Sequence, residues 1–175
     1  MTSNVIDDKL LLEASRERDG LLSAMQSVML STVNTAGSPN SSYAPCLYCG
    51  DSKRFYIYIS TLSRHTKNLI ENPYLSMMII EDESKSDNLF ARKRYTIEAS
   101  SEIINRDSDK WNNIMDLMVS KFGETLTYLK ELTDFKMFEL NPSDSLLVYG
   151  FGKAFRFSKD NFDYADHLND KGHKK

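Results

Sequence analysis

Between Arg54 and Ser60 the chain reads Arg-Phe-Tyr-Ile-Tyr-Ile-Ser, and this alternation narrows what it can fold into more than any other feature. Phe55, Ile57 and Ile59 fall on one face of an extended chain, and Tyr56 and Tyr58 fall on the other. That is a period of two, with apolar groups on both faces, so the segment reads as a strand covered from both sides. The same texture returns along the chain. Val28–Val33 reads as a strand, the turn Thr35–Asn40 follows, and Ser42–Tyr48 reads as the returning strand. Leu75–Ile80, Arg94–Ile104, Phe135–Leu140, Leu146–Tyr149 and Ala154–Phe157 continue the series, with Gly50-Asp51 and Gly150-Phe151-Gly152 as turns. About six or seven strands punctuated in this way predict a small barrel with peripheral helices.

The helices are fewer. Asp8–Gly20 mixes leucines with charged residues and suits a helix over about 8–20, ended by Gly20. Ser63 opens a short helix that Asn72-Pro73 closes. Asp107-Ser108-Asp109 caps another, whose Trp111, Ile114, Met115, Met118 and Phe122 share one face. From Asp160 a short helix and then a tail are expected, over about 160–175. The 175 residues fit one domain, 1–175, and a hydrophobic share of 41% suffices for a core. With 22 Lys and Arg against 25 Asp and Glu, no basic nucleic-acid footprint is present. The longest apolar run, Met77–Ile80, is far below the roughly 20 residues of a membrane span, so no membrane partner is expected. Met1-Thr2-Ser3-Asn4 lacks a signal-peptide layout, and two cysteines make no disulfide framework; a cytoplasmic setting is expected.

Chemistry has four candidate seats. Ser60 to Lys67 ends a strand and starts a helix whose first turn carries Arg64, His65 and Lys67. Cations there oppose the helix dipole unless an anion, such as a phosphate or carboxylate, sits among them; the alternative is a solvated first turn. Arg92 and Arg94 share a face and could hold carboxylates, or could pair with Glu81, Asp82 or Glu83 as surface salt bridges. Cys46-Leu47-Tyr48-Cys49 lacks the second ligand pair of a zinc site and lies in a hairpin, so packing is expected of it. Last come the histidines. A tail residue such as His173 could offer an imidazole to a metal, with an aspartate such as Asp134 behind it, or could be merely solvated. Glycine-rich phosphate loops, a serine nucleophile elbow and paired histidines at metal-ligand spacing are all missing.

Gly37-Ser38-Pro39, Ser42-Tyr43-Ala44-Pro45, Tyr56–Ser60, Ser63-Arg64-His65-Thr66-Lys67-Asn68-Leu69 and Asn72-Pro73 together resemble the FMN-binding split barrel of pyridoxamine-phosphate-oxidase-like proteins. Met77–Glu83, Phe90-Ala91-Arg92-Lys93-Arg94, Gly150–Ala154 and Gly172-His173 bring the resemblance closer to the haem-utilisation branch, the HugZ/HutZ type. The resemblance implies a mainly β, six-stranded Greek-key split barrel with peripheral helices. It also implies a homodimer with ligand sites at its interface, and a C-terminal tail over the ligand.

In that branch it implies haem held by His173, with Asp134 as the hydrogen-bond partner of the imidazole. Arg94, Arg92 and His65 would border the haem or its propionates. The implied activity is oxidative cleavage to a biliverdin-like product, with iron released and electrons from an external donor. Two alternatives follow from the same family. One is FMN-dependent oxidoreduction, with Ser60, Arg64 and Lys67 on the phosphate; the other is haem storage or delivery without turnover. Flavin-using oxidases of this fold carry an arginine on the second strand and a lysine after the helix-start arginine. Here the second strand holds no cation, and the lysine position is His65.

Overall fold

The computed structural model describes residues 8–158 and 161–168. Its nine strands and four helices run in the order α1 (Asp8–Ala24), β1 (Ser27–Val33), β2 (Pro39–Pro45), β3 (Leu47–Cys49), β4 (Arg54–Ser60), α2 (Arg64–Glu71) and β5 (Tyr74–Ile80). They continue as β6 (Arg94–Ile104), α3 (Asp109–Phe122), α4 (Glu124–Leu129), β7 (Phe135–Val148), β8 (Ala154–Ser158) and β9 (Asn161–His167). The strands form a sheet in the order β2-β1-β5-β6-β7-β4-β3, with β8 paired to β7 and β9 to β8. None of the described helices is long and apolar enough to cross a membrane.

Contacts divide the chain into two compact units. One comprises residues 26–77 and 98–142. Here β4 is buried on both faces from Phe55 to Ile59, as its alternation predicts. Its tyrosine face packs with Trp111, Ile114, Met115 and Met118 of α3, Leu126 of α4 and Met137 of β7. Each such large side chain taken out of water contributes roughly 1.5–3 kcal/mol, so this layer anchors the strand that carries Tyr58 and Ser60. α3 starts as expected: Ser108 Oγ accepts the Trp111 amide at 3.2 Å.

The other unit comprises residues 1–25, 78–97 and 143–175. Along α1, charged side chains are tied down: Arg18 lies over the Phe157 ring at 4.8 Å, and Lys153 Nζ donates to Glu13 at 2.7 Å. Lys93 Nζ pairs with Glu17. Tyr95 and Ser145 share a buried hydrogen bond of 2.8 Å, and Ser145 Oγ donates on to the Phe157 carbonyl.

Four local expectations are corrected. α1 does not stop at Gly20 but runs to Ala24, because the glycine carries no positive φ and Leu21 extends the buried face. The helix expected from about 160 is instead β9, in the register Phe155↔His167 and Phe157↔Ala165, so pairing with β8 overrides local propensity. His167 accordingly lies on a strand, stacked on Phe155 at 4.7 Å. The expected break after Leu140 is absent, and β7 runs through Pro142. β4 pairs with β7 as far as Leu140 and β8 pairs with it from Asp144, so on this side the proline falls where the strand changes partners. Finally, the returning strand breaks at Cys46 into β2 and β3. The Cys46 amide donates at 3.0 Å to Gln26 O, the last rung beside β1, and from Leu47 the chain pairs with β4 instead.

Candidate functional site

The end of β4 and the start of α2 form one corner. Ser63 caps α2 with an extended backbone (φ −76°, ψ 143°), but its hydroxyl makes no capping bond, and the first turn holds no acidic residue. No side chain among the described residues therefore caps the early amides of the turn that carries Arg64, His65 and Lys67. Among the described residues, the side chains of Arg64 and Lys67 make no hydrogen bond or ion pair. The opposite face of α2 is fixed by buried Thr66 and Leu69 and by Asn68, whose Nδ2 donates to Thr32 Oγ1 of β1 at 2.9 Å.

A cavity of about 600 Å³ opens beside this corner. Tyr43, Tyr58, Met118, Phe122, Leu129 and Phe135 give it a predominantly apolar, aromatic-rich wall, and Ser60, Ser63 and His65 supply its polar side. Such a cavity suits a flat, largely apolar ligand with a polar edge. Tyr58 is held by Phe135 at 5.2 Å between ring centroids and by Trp111 at 6.3 Å, edge to face. Burial pushes its phenol pKa up, so it stays a protonated donor.

Asp134 joins the corner from the loop after α4. Ser60 Oγ donates to Asp134 Oδ2 at 2.6 Å, and the Thr61 amide donates to the Asp134 carbonyl at 2.7 Å. Ser60 Oγ also accepts the Leu62 amide at 3.1 Å. The serine therefore orients a carboxylate. A phosphate brought to Ser60 would meet that anion at hydrogen-bond range, which opposes the flavin-phosphate role considered for Ser60. The other carboxylate oxygen, Oδ1, accepts no bond among the described residues.

His65 answers a second departure from the flavin pattern. Its Nδ1 lies 2.9 Å from Ser42 Oγ on β2, so the second strand and the residue after Arg64 touch through two uncharged groups. Burial lowers the His65 pKa, which favours the neutral ring.

The arginines expected near a ligand belong to the other unit. Arg92 is committed: Nε and Nη2 donate to the Glu81 carbonyl, Nε at 2.8 Å, and Nη1 pairs with Glu83 at 2.9 Å. That is the salt-bridge alternative. Arg94 spends only Nη1, on the Arg92 carbonyl at 3.0 Å. Thus Ser60, His65, Asp134, Arg64 and Lys67 come together at one corner, while Arg92 and Arg94 belong to the other unit. His173 lies outside the described residues. Burial pushes the Cys46 thiol up to about 12 and also raises Cys49, which favours the protonated thiol at both positions. The described residues hold no cluster of three or more metal-binding side chains.

Two residues that touch this corner are not singled out by the sequence, although Ser42 lies within a motif of the family resemblance. Ser42 looks like any strand serine, and Arg106 falls between the end of a strand and a helix cap; their partners lie 23 to 48 residues away.

Comparison with known proteins places this geometry. Residues 15–149 match the pyridoxamine 5'-phosphate oxidase family. The haem oxygenase HutZ of Vibrio cholerae is 40% identical over 150 residues, covering 86% of this chain and 84% of its own length. The crystal structure of HutZ, described as a haem storage protein, superposes with a TM-score of 0.74 at 35% identity, over 78% of this chain and 96% of that one. ChuZ of Campylobacter jejuni gives 0.83 at 27% identity, over 94% of this chain and 65% of that one. With the family matched across most of its length, the chain belongs to the pyridoxamine 5'-phosphate oxidase-like split-barrel proteins, in their HugZ/HutZ-type branch.

Proposed function

We propose that this protein binds haem and cleaves it oxidatively to a biliverdin-like product, releasing iron for use in the cell. The observation that carries the reading is Asp134. Its carboxylate stands beside an apolar cavity, is oriented by Ser60 and Thr61, and keeps one oxygen uncommitted among the described residues. A carboxylate held in this way is what a metal-bound imidazole uses as its hydrogen-bond partner. The imidazole is assigned to His173, whose ring would donate its remaining N–H to Asp134.

The residues present fit haem better than FMN. The aromatic wall can cover a macrocycle, while Arg64, His65 and Lys67 offer charge or hydrogen bonds to its propionates. Arg94 offers more free donor atoms than Arg92 to a carboxylate. For FMN, the carboxylate at Ser60 and the neutral His65–Ser42 contact weaken a phosphate site. Haem, once bound, supplies the redox chemistry, consuming oxygen and electrons from an external donor. The chain's own part would be to offer the His173 imidazole to the iron, orient it through Asp134 and line the cavity around the macrocycle. The HutZ likeness supports haem as the ligand; a homodimer as the working unit and a cytoplasmic setting are part of the same proposal.

The test is a haem titration of the full chain beside His173→Ala. The wild type should give a shifted Soret band, and His173→Ala should lose it; equal binding by both overturns the ligand assignment. Ascorbate and oxygen added to the wild-type complex should yield a bilin band and chelatable iron. A complex that keeps its haem spectrum is a storage or delivery protein instead. A yellow protein that releases flavin on denaturation would restore the FMN reading.

A further inference from the structure

The loop that carries Asp134 has an unusual support. α4 ends at Leu129, and the amides of Lys130, Glu131 and Leu132 close it by bonding back to the carbonyls of Leu126, Tyr128 and Leu129. The carbonyls of Lys130 and Leu132, beyond the helix, take no such local donor among the described residues. Further donors reach this loop from distant parts of the chain. Tyr58 Oη donates to the Leu129 carbonyl at 3.5 Å. Arg106 Nη1 donates to the Leu132 carbonyl at 2.8 Å, and Nη2 donates to the Lys130 carbonyl. Nη1 also lies 3.5 Å from Tyr58 Oη, on the wall of the cavity. One planar fork therefore grips two carbonyls just ahead of Asp134, a geometry that a lysine cannot copy.

The fork is itself braced. Its guanidinium carbon lies 5.5 Å from the Trp111 ring centroid. The next residue, Asp107, has φ +63°, a left-handed turn that few residue types tolerate. Ser108 Oγ donates to the Asn105 carbonyl at 2.7 Å across the same corner.

We propose that Arg106 is a positioning residue for Asp134: by clamping Lys130 and Leu132 it sets where the carboxylate stands beside Ser60. The proposal rests on the haem reading, in which Asp134 orients the iron-bound imidazole. Removing Arg106 then acts through Asp134, and should weaken haem binding about tenfold, in the range seen when groups behind a metal ligand are lost.

The experiment compares the full-length wild type, Asp134→Asn, Arg106→Ala, Arg106→Lys and the double variant Arg106→Ala/Asp134→Asn. The readouts are haem affinity and the reduction midpoint of the bound iron. Arg106→Ala should move both in the direction of Asp134→Asn, Arg106→Lys should fall between it and wild type, and the double variant should add nothing to Asp134→Asn. A wild-type affinity and midpoint in Arg106→Ala, or full additivity in the double variant, overturns the proposal. If Arg106→Ala fails to fold by circular dichroism, Arg106→Lys carries the same comparison alone. A wild type that gives no Soret band overturns the haem reading instead.

Discussion

Two basic stretches look alike on paper and are treated in opposite ways by the fold. Arg64-His65-Thr66-Lys67 opens α2, and Arg92-Lys93-Arg94 leads into β6. In the second stretch Arg92 is consumed by Glu81 and Glu83, and Lys93 by Glu17, while its amide donates to Glu81 Oε1 at 2.6 Å. Only Arg94, bonded through Nη1 to the Arg92 carbonyl, keeps donors to spare. In the first, Arg64 and Lys67 have no partner among the described residues, and no acidic side chain offsets them in the helix's first turn. A cation without a partner at the positive end of a helix costs stability unless an anion joins it, whereas a cation forked onto a carbonyl and a carboxylate is part of the scaffold. The lesson is that basic clusters report a ligand only when their charges are left over after folding.

The sharpest way to break this contrast is to remove Arg92. Three donor contacts from a side chain that is only 19% exposed should be missed, at about 2 kcal/mol, the usual scale for hydrogen bonds from charged groups. Arg92→Ala should therefore lower the urea midpoint by on the order of 1 M. An unchanged midpoint together with weakened haem binding would mean that Arg92 serves the ligand rather than the fold.

The converse variant carries Arg64→Ala and Lys67→Ala together. Without ligand its urea midpoint should stay at or slightly above the wild-type value, while affinity for an anionic ligand falls about tenfold at low salt and less at high salt, since both groups are exposed. Haem titrated at two ionic strengths checks this. A loss of stability without a loss of affinity would reverse the roles assigned to the two stretches.

How much of this could be seen beforehand depends on the range of the interaction. β4 was legible because alternation is local, and burial of Phe55 through Ile59 follows from it. The limits of α2 and α3 were legible because Ser63, Asn72 and Ser108 cap them through neighbouring backbone. β9 was not, since its strand state comes from pairing with β8 rather than from its own residues. The site divides in the same way. The helix-start cations were visible as a run, but the Ser60–Asp134 bond joins positions 74 apart, and the fork of Arg106 spans 24 and 26 residues to its carbonyls. From the sequence Asp134 is only a possible partner of a tail imidazole, then one that family resemblance implies, and only tertiary contact reveals what holds it. Whether a cation is left over is likewise decided by partners such as Glu17, 76 residues from Lys93.

The smallest effect concerns His65, the one member of the helix-start cluster whose charge is conditional. Burial lowers its pKa from the ordinary 6.5, so the folded chain binds a proton there less readily than the unfolded chain. Between the folded value and 6.5 the unfolded state holds more protons, so stability falls as pH falls. The contribution is whole above the ordinary imidazole range and lost once pH passes below the folded value. Urea midpoints taken at about pH 8 and about pH 5 should therefore differ less in His65→Gln than in the wild type. His167→Gln, on β9, supplies the control for substituting a histidine in the other unit. An anion bound beside Arg64 and Lys67 would favour the protonated ring and narrow the wild-type difference as well. An unchanged pH difference in His65→Gln would place the titration elsewhere and remove His65 from the conditional charge of this corner.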